Sequence, residues 1–527
     1  MPIFMPTPCV CVNRENTLCY TAGFVRANGG ARFSNIDRTS KKHTPVRVLF
    51  ATSEAYPLIK TGGLADVSGA LPSALAELGA DVRVLLPGYP VVLDKLPDAQ
   101  TVARFPNPFA AGDTEIRQAT LPGSAVPIYI AMCEPFFNRE GGPYQAPGGT
   151  DWPDNAFRFG LLSYLAAMLA SARTPLDWRP DILHCNDWQT GLAPAYLHFM
   201  PAARARTVMT IHNLAYQGNF SSDMVGPLGL PSASFSMQGL EFYGHLSFLK
   251  AGLFYADCLT TVSPTYAQEI QRPELGFGMD GLLRERRDVL HGILNGIDTR
   301  EWDPAHDDHL AKHYSPKSLH RKRENKRALQ DRLRLQPDED APLVAMISRI
   351  TYQKGSDVVL AIAPEILREG AQLAILGTGE KDIEQALAML AERHPGRLSV
   401  TIGYDEPRSH LMEAGADLFL MPSRYEPCGL NQMYSQRYGT PPVVSATGGL
   451  ADTVWDASPE NLAAGTATGF LVPETSYHHV LAGVCRALAL FRDKPAWEAV
   501  QRQAMSMDFS WQKSARAYLE LYRSMLP

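Results

Sequence analysis

"VRVLFATSEAYPLIKTGGLADVSGALPSALAELGADVRVLLP", residues 46–87, decides how this chain folds. An apolar run at 46–52 gives way to a bend holding Lys60, Thr61, Gly62 and Gly63; a run of helix formers follows, and a second apolar run at 81–87 closes the unit. Short apolar strands alternating with helical segments are the signature of a parallel sheet covered on both faces. The pattern continues. "DILHCND" (181–187), "RTVMTIHN" (206–213) and "CLTTVS" (258–263) are predicted strands, with helices such as "FGLLSYLAAMLASA" between them. The series then restarts with "PLVAMISR" (342–349), "AQLAILG" (371–377), "LSVTIGY" (398–404), "ADLFLMPS" (416–423) and "PPVVSATGG" (441–449). The fold class is therefore α/β, with two Rossmann-like doubly wound domains.

The junction is read near "ILNGIDTREWDP" (293–304), where an Asn-Gly turn and a following proline interrupt the periodicity. This divides the chain into an N-terminal domain, 46–293, and a C-terminal domain, 294–506, with a last segment, 507–527, whose apolar residues have helical spacing. Residues 1–45 carry Arg14, Arg26, Arg32, Arg38, Lys41 and Lys42 against only Glu15 and Asp37. They read as a disordered extension; an organellar transit peptide would share the same balance.

At 527 residues with 45% hydrophobic content, the chain is too long for one ordinary core. Lys and Arg total 49 against 55 Asp and Glu, a formal charge of -6, which gives no broad electrostatic footprint for nucleic acid or an anionic membrane. No stretch reaches the roughly 18 uninterrupted apolar residues of a membrane-spanning helix. The eight cysteines, at 9, 11, 19, 133, 185, 258, 428 and 485, have no repeated CxxC spacing, which reads as a reducing compartment.

In open parallel sheets ligands bind outside the carboxyl ends of the strands, so loops directly after strands should carry the chemistry. Lys60, Gly62 and Gly63 follow the first strand and precede a helix, offering an ammonium, backbone N–H groups and a helix dipole to one anion. A glycine turn that only reverses the chain would read the same. A second loop, "ATGGLADTVWD" (446–456), repeats the TGGLAD of the first almost letter for letter. Two donor-rich loops, one per domain, predict a ligand clamped between the domains.

Other loops add charge after strands. "SRITYQKGSD" (348–357) puts Arg349 and Lys354 within reach of a single diphosphate, or else forms a solvated basic turn. "GTGEKD" (377–382), opening on Gly377, lacks the third glycine of a dinucleotide fingerprint, which weakens a dehydrogenase reading. "SRYEPCGLNQMY" (423–434) sets Glu426 on a Pro-Cys-Gly turn that opens a helix, where a sugar could be gripped. His212, Asn213 and Asp187 end predicted strands; the bland alternatives are a packed histidine and a helix-capping aspartate.

Taken together, Lys60-Thr61-Gly62-Gly63-Leu64, "NDW" (186–188), "IHN" (211–213), "NGID" (295–298), "SRITYQKG" (348–355), "PSRYEPCGL" (422–430) and "TGGLADTV" (447–454) resemble the bacterial glycogen synthases and their relatives, the plant starch synthases. The resemblance runs in order from about residue 46 to the C-terminus. It implies a retaining glycosyltransferase of the GT-B type, two domains facing across a cleft, that moves glucose from ADP-glucose to the non-reducing end of an α-1,4-glucan. It also implies no cofactor, no metal, no nucleic-acid or membrane partner, and a final helix, 507–527, that crosses back to the N-terminal domain. A cytoplasmic location follows, or a plastid if residues 1–45 are a transit peptide. The rival readings are a transferase using UDP-glucose and a catalytically silent glucan-binding protein of the same fold.

By the same resemblance, Arg349 and Lys354 match the clamp on the leaving diphosphate, and Gly63, Gly448 and Gly449 bring backbone to the phosphates or donor. Lys60 matches the cleft lysine, Glu426 the carboxylate facing the donor sugar, with Cys428 and Gly429 beside it. His212 matches the histidine near the anomeric centre, Asn213 and Asp187 orient donor or acceptor, and Tyr404 lies beside the adenine. Gly62, Asp66, Asn295, Gly377, Leu430 and Thr447 complete the implied substrate-binding set. The chain departs from the family at Gln189, where many members have histidine, and at "VVSATGG", where an arginine often precedes the glycines; Tyr434 follows the glycogen synthase pattern.

Overall fold

A computed structural model describes residues 44–527, so the reading of the leading extension lies outside the described residues. The apolar runs of the first half form the strands Arg47–Ala51, Asp81–Pro87, Ile182–Asn186, Arg206–Ile211 and Cys258–Thr261. All pair in parallel, with Val48 opposite Val82 on one side and Ile182 on the other. Leu49, Phe50, Leu85, Ile182, Leu183 and Met209 are fully buried, as strands covered on both faces must be.

The sheet is wider than those runs predict. Leu290–Gly292 extends one edge in parallel, and Pro127–Met132, Thr114–Thr120 and Gln100–Phe105 extend the other as an antiparallel meander, giving nine strands in all. These four strands are not among those predicted; Pro127–Met132 itself joins Asp81–Pro87 in parallel. The outermost strand is solvated on one side, with Gln100, Val102 and Arg104 exposed, so it has no continuous apolar run to betray it.

The second-half runs form Leu343–Ile347, Gln372–Gly377, Leu398–Ile402, Leu418–Met421 and Pro442–Ser445, which with Phe470–Val472 make a six-stranded sheet, parallel throughout. In each sheet the first strand sits inside, with later strands added on either side. Arg47–Ala51 lies between Asp81–Pro87 and Ile182–Asn186, and Leu343–Ile347 lies between Gln372–Gly377 and Leu418–Met421. Strand order reverses at these points, and the connecting segments leave in opposite directions, opening a crevice at the carboxyl ends.

The helix Trp511–Ser524 packs on the first sheet. Trp511, Ala515, Tyr518, Leu519 and Tyr522, a stripe at helical spacing, join that sheet's core. Tyr522 Oη lies 2.7 Å from Nδ1 of the buried His184, and Ser514 Oγ donates to the Leu294 carbonyl at 2.5 Å. Cys428, Met433 and Tyr434, which follow a strand of the second sheet, are also buried in the first core. Among the described residues no helix is long and apolar enough to cross a membrane.

Candidate active site

The loops after the strands of both sheets line one cleft of about 1300 Å³. On the first sheet, Lys60, Gly62 and Gly63 lead from Arg47–Ala51 into the helix Gly63–Glu77, and Asp187 follows Ile182–Asn186, so the two loops flank the switch point. Lys60 Nζ pairs with Asp66 Oδ1 at 2.7 Å, one turn into that helix. The backbone donors of Thr61 and Gly62 are held by an acid the sequence reading did not single out: Glu54, which also accepts from Tyr144 Oη. Burial pushes the Glu54 carboxyl up, against the pull of those three donors. A Cβ on Gly62 would meet nothing within 4 Å, so the space in front of this bend is open to a ligand.

Asp187 adopts φ 54°, a conformation costly for a residue with a side chain. It is held there because Oδ1 accepts from the backbone of His212 at 2.7 Å and, at a longer 3.4 Å, from Asn213. Burial raises its pKa to about 7 in spite of those donors. His212 is driven the other way, down to about 3, by burial, so its imidazole is neutral at physiological pH. Its Nε2 lies 2.9 Å from Asn186 Oδ1. With Nε2 donating there, Nδ1 is left as an acceptor.

On the second sheet, Arg349 and Lys354 follow Leu343–Ile347 and Glu426 follows Leu418–Met421, again flanking the switch point. Lys354 Nζ and Glu426 Oε2 are 2.5 Å apart, and Ser423 Oγ donates to the same oxygen at 2.9 Å. Arg349 reaches Tyr216 Oη of the first lobe at 3.4 Å and Gln353 Oε1 at 3.3 Å. Cys428, Gly429 and Leu430 lead into the helix Asn431–Arg437 at the cleft wall. Burial pushes the Cys428 thiol up to about 12, which leaves it neutral and a poor nucleophile. Asn295 also lines the cleft, and its buried Oδ1 has no hydrogen-bond partner among the described residues, an acceptor waiting for a donor. Tyr404, exposed, stands at the rim.

One expectation needs correction. Thr447, Gly448 and Gly449 do not line the cleft. Thr447 Oγ1 and Gly448 N donate to Glu269 of the first lobe at 2.9 and 3.1 Å, and Gly449 N donates to the Glu426 carbonyl at 3.1 Å. A Cβ at Gly448, whose φ is 43°, would stand 2.0 Å from that carbonyl. The second TGG thus braces the Glu426 turn instead of offering a free anion cradle. Gly377 does line the cleft, and a Cβ there would stand 1.8 Å from the Ser348 carbonyl, so close packing also requires a glycine.

Glu54, Tyr144, Tyr216, Gln353 and Glu269 escaped the sequence reading. Tyr216 lay within a stretch already singled out, "TIHNLAYQG", and Gln353 lies between Arg349 and Lys354. Glu269 and Tyr144 carry no local signal, because their partners come from distant loops.

Residues 47–285 match the starch synthase catalytic domain, and residues 329–494 match glycosyl transferases group 1. A glycogen synthase of Nitrosospira multiformis is 54% identical over 482 residues, covering 91% of this chain and 97% of its own length. The solved catalytic domain of starch synthase IV from Arabidopsis thaliana, bound to ADP and acarbose, superposes with a TM-score of 0.81 at 31% identity, over 91% of this chain and 99% of that one. Sucrose-phosphate synthase from Thermosynechococcus elongatus shares the fold, with a TM-score of 0.55 at 19% identity over 91% of this chain and 99% of its own.

Proposed function

The chain belongs to the glycogen synthase and starch synthase family of GT-B glycosyltransferases, and on that premise we propose how its cleft works. The enzyme transfers glucose from ADP-glucose to the 4-hydroxyl at the non-reducing end of an α-1,4-glucan, with retention, and releases ADP. In this reading residues 46–293 form the acceptor-side domain, 294–506 the donor-side domain, and 507–527 the returning helix. The starch synthase relative, solved with ADP and acarbose, supports a nucleotide diphosphate and a glucan mimic as the molecules the cleft accepts.

The observation that carries the proposal is the convergence of Arg349, Lys354 and Glu426 at the switch point of the second sheet. Two cations meet the diphosphate as its charge grows in the transition state, which is worth more inside a closed, low-dielectric cleft than in water. Glu426, shared between Lys354 and Ser423, sits where it can favour positive charge on the anomeric carbon. Neutral His212 offers Nδ1 to a glucose hydroxyl, and Asn295 Oδ1 takes another hydroxyl donor. Lys60, next to the open space over Gly62 and Gly63, completes the positive lining opposite.

The departing diphosphate then removes the proton from the incoming 4-hydroxyl on the face it leaves, so retention requires no protein nucleophile. With Arg349 and Lys354 supplying the positive charge, the transfer runs without a cofactor. We place the enzyme in the cytoplasm on the strength of its likeness to bacterial glycogen synthases. A radiolabel assay with and without glycogen primer tests the reading: incorporation from ADP-glucose well above that from UDP-glucose is expected, and its absence with primer present would overturn it.

A further inference from the structure

We propose that Glu301, Glu406 and His410 bind one divalent transition-metal ion, of Zn2+ chemistry, in the wall of the cleft. One carboxylate oxygen from each glutamate and a ring nitrogen of His410 all lie within 4.8 Å of one another. Both glutamates are half-buried, so small rotamer changes bring the three donors to the metal–ligand lengths of about 2.0–2.2 Å that zinc takes with nitrogen and oxygen.

The histidine separates this cluster from an ordinary acidic patch. His410 is 2% exposed, and its Nε2 is buried without a hydrogen-bond partner among the described residues. A bare nitrogen in that setting is unfavourable unless something takes its lone pair. The other nitrogen, Nδ1, lies 2.7 Å from Asp307 Oδ2, which also accepts from Tyr438 Oη at 2.5 Å. A carboxylate behind the imidazole fixes the tautomer with its proton on Nδ1 and frees Nε2 to coordinate. The ring cannot swing away: it is stacked on Trp302 at 3.8 Å between centroids, and Trp302 is stacked in turn on Tyr434.

The local sequence agrees. Glu406 and His410 stand four residues apart on the helix Glu406–Gly415, so they share a face. Glu301 arrives from the segment that leaves the first sheet after Leu290–Gly292, and its Oε1 accepts only a long bond, 3.3 Å, from Tyr56 Oη. One imidazole and two carboxylates suit Zn2+ better than Mg2+, which prefers oxygen ligands and keeps its waters. The ion would tie the linker between the sheets to the second lobe. The diphosphate, which carboxylates repel, is received by Arg349 and Lys354 elsewhere along the same cleft lining.

The full chain, stripped with a chelator and dialysed, should be titrated with ZnCl2 by calorimetry beside Glu301→Gln, Glu406→Gln and Asp307→Asn. We expect one site per chain, weakened at least about tenfold in each glutamine variant and about ten- to a hundredfold in Asp307→Asn, the loss usual for a partner behind a metal ligand. Circular dichroism and melting temperature of the metal-free proteins separate misfolding from lost ligation; the glutamine variants, at half-buried positions, keep the test decisive if Asp307→Asn unfolds. Equal Zn2+ affinity in wild type and both glutamine variants, or no stoichiometric site in the wild type, would overturn the assignment.

Discussion

Lys354 Nζ and Glu426 Oε2 stand 2.5 Å apart with side chains only 15% and 8% exposed, joining the two loops that flank the switch point of the second sheet. Each member of so little-exposed a pair relies on the other's charge. Removing either member leaves the other buried and unpaired, which costs about 3–5 kcal/mol.

Lys354→Ala and Glu426→Ala should each reduce glucosyl transfer at least about a hundredfold, the size expected for a lost preorganised charge. Each should also lower the melting temperature, whereas Lys354→Met combined with Glu426→Gln should recover most of the stability and none of the activity. Near-normal turnover in both single variants would refute the assigned roles.

Arg349 bridges Tyr216 and Gln353 through different guanidinium nitrogens, which sets its fork across the cleft. A charge-assisted hydrogen bond contributes about 1.5–3 kcal/mol, so Arg349→Ala should weaken ADP binding about ten- to a hundredfold by calorimetry. Tyr216→Phe, which keeps the ring, should change it less than about threefold. Unaltered ADP affinity in Arg349→Ala would place the diphosphate elsewhere.

Glu269 carries the second TGG loop from across the cleft through Thr447 Oγ1 and Gly448 N, and Asp452 returns the contact to Thr265 N at 2.9 Å. These contacts join the two lobes beside the cleft, so a nucleotide that closes the cleft should shift them. Small-angle scattering of the wild type should change on adding ADP, and Glu269→Ala should scatter as a more extended particle without it. Identical curves in all three samples would argue against closure.

His184 is fully buried beneath the last helix, and burial lowers its pKa from 6.5 to about 3. Between those values the unfolded chain binds a proton that the folded chain refuses. The stability tied to this residue is therefore complete above pH 6.5 and lost as pH falls toward 3, by about 1.4 kcal/mol per pH unit within the window. His184→Gln should lower stability at pH 7 yet flatten its decline between pH 7 and 5 by one proton's worth, read from urea midpoints. Parallel declines would mean that the folded protein accepts the proton.

The order of strands and loops was legible from local pattern alone. Runs such as 48–51 and 343–347 are apolar throughout because both faces of a central parallel strand are covered, and that requirement is written residue by residue. Lys60, Arg349, Lys354 and Glu426 followed from the same pattern, since a loop after such a strand must open at the carboxyl edge of its sheet. The edge meander between Gln100 and Met132 did not follow, because half-solvated strands carry polar residues that read as loop.

The two TGGLAD loops mark the boundary between what the sequence determined and what the tertiary structure decided. Their identical letters do not give the same bend: Gly62 is extended at φ −154°, whereas its counterpart Gly448 has φ 43°. Backbone donors are satisfied by whichever acceptor packs against them, and that neighbour comes from elsewhere in the chain. Glu54 holds the first loop and leaves open space before its glycines; Glu269 and the Glu426 carbonyl close the second. The meeting of Glu301 with Glu406 and His410 is likewise a product of packing, because only the folded linker brings its carboxylate to a helix about a hundred residues further along the chain. Short-range order is fixed by side-chain pattern and backbone sterics, while the partner of each donor, acceptor and charge is fixed only when distant segments share one volume.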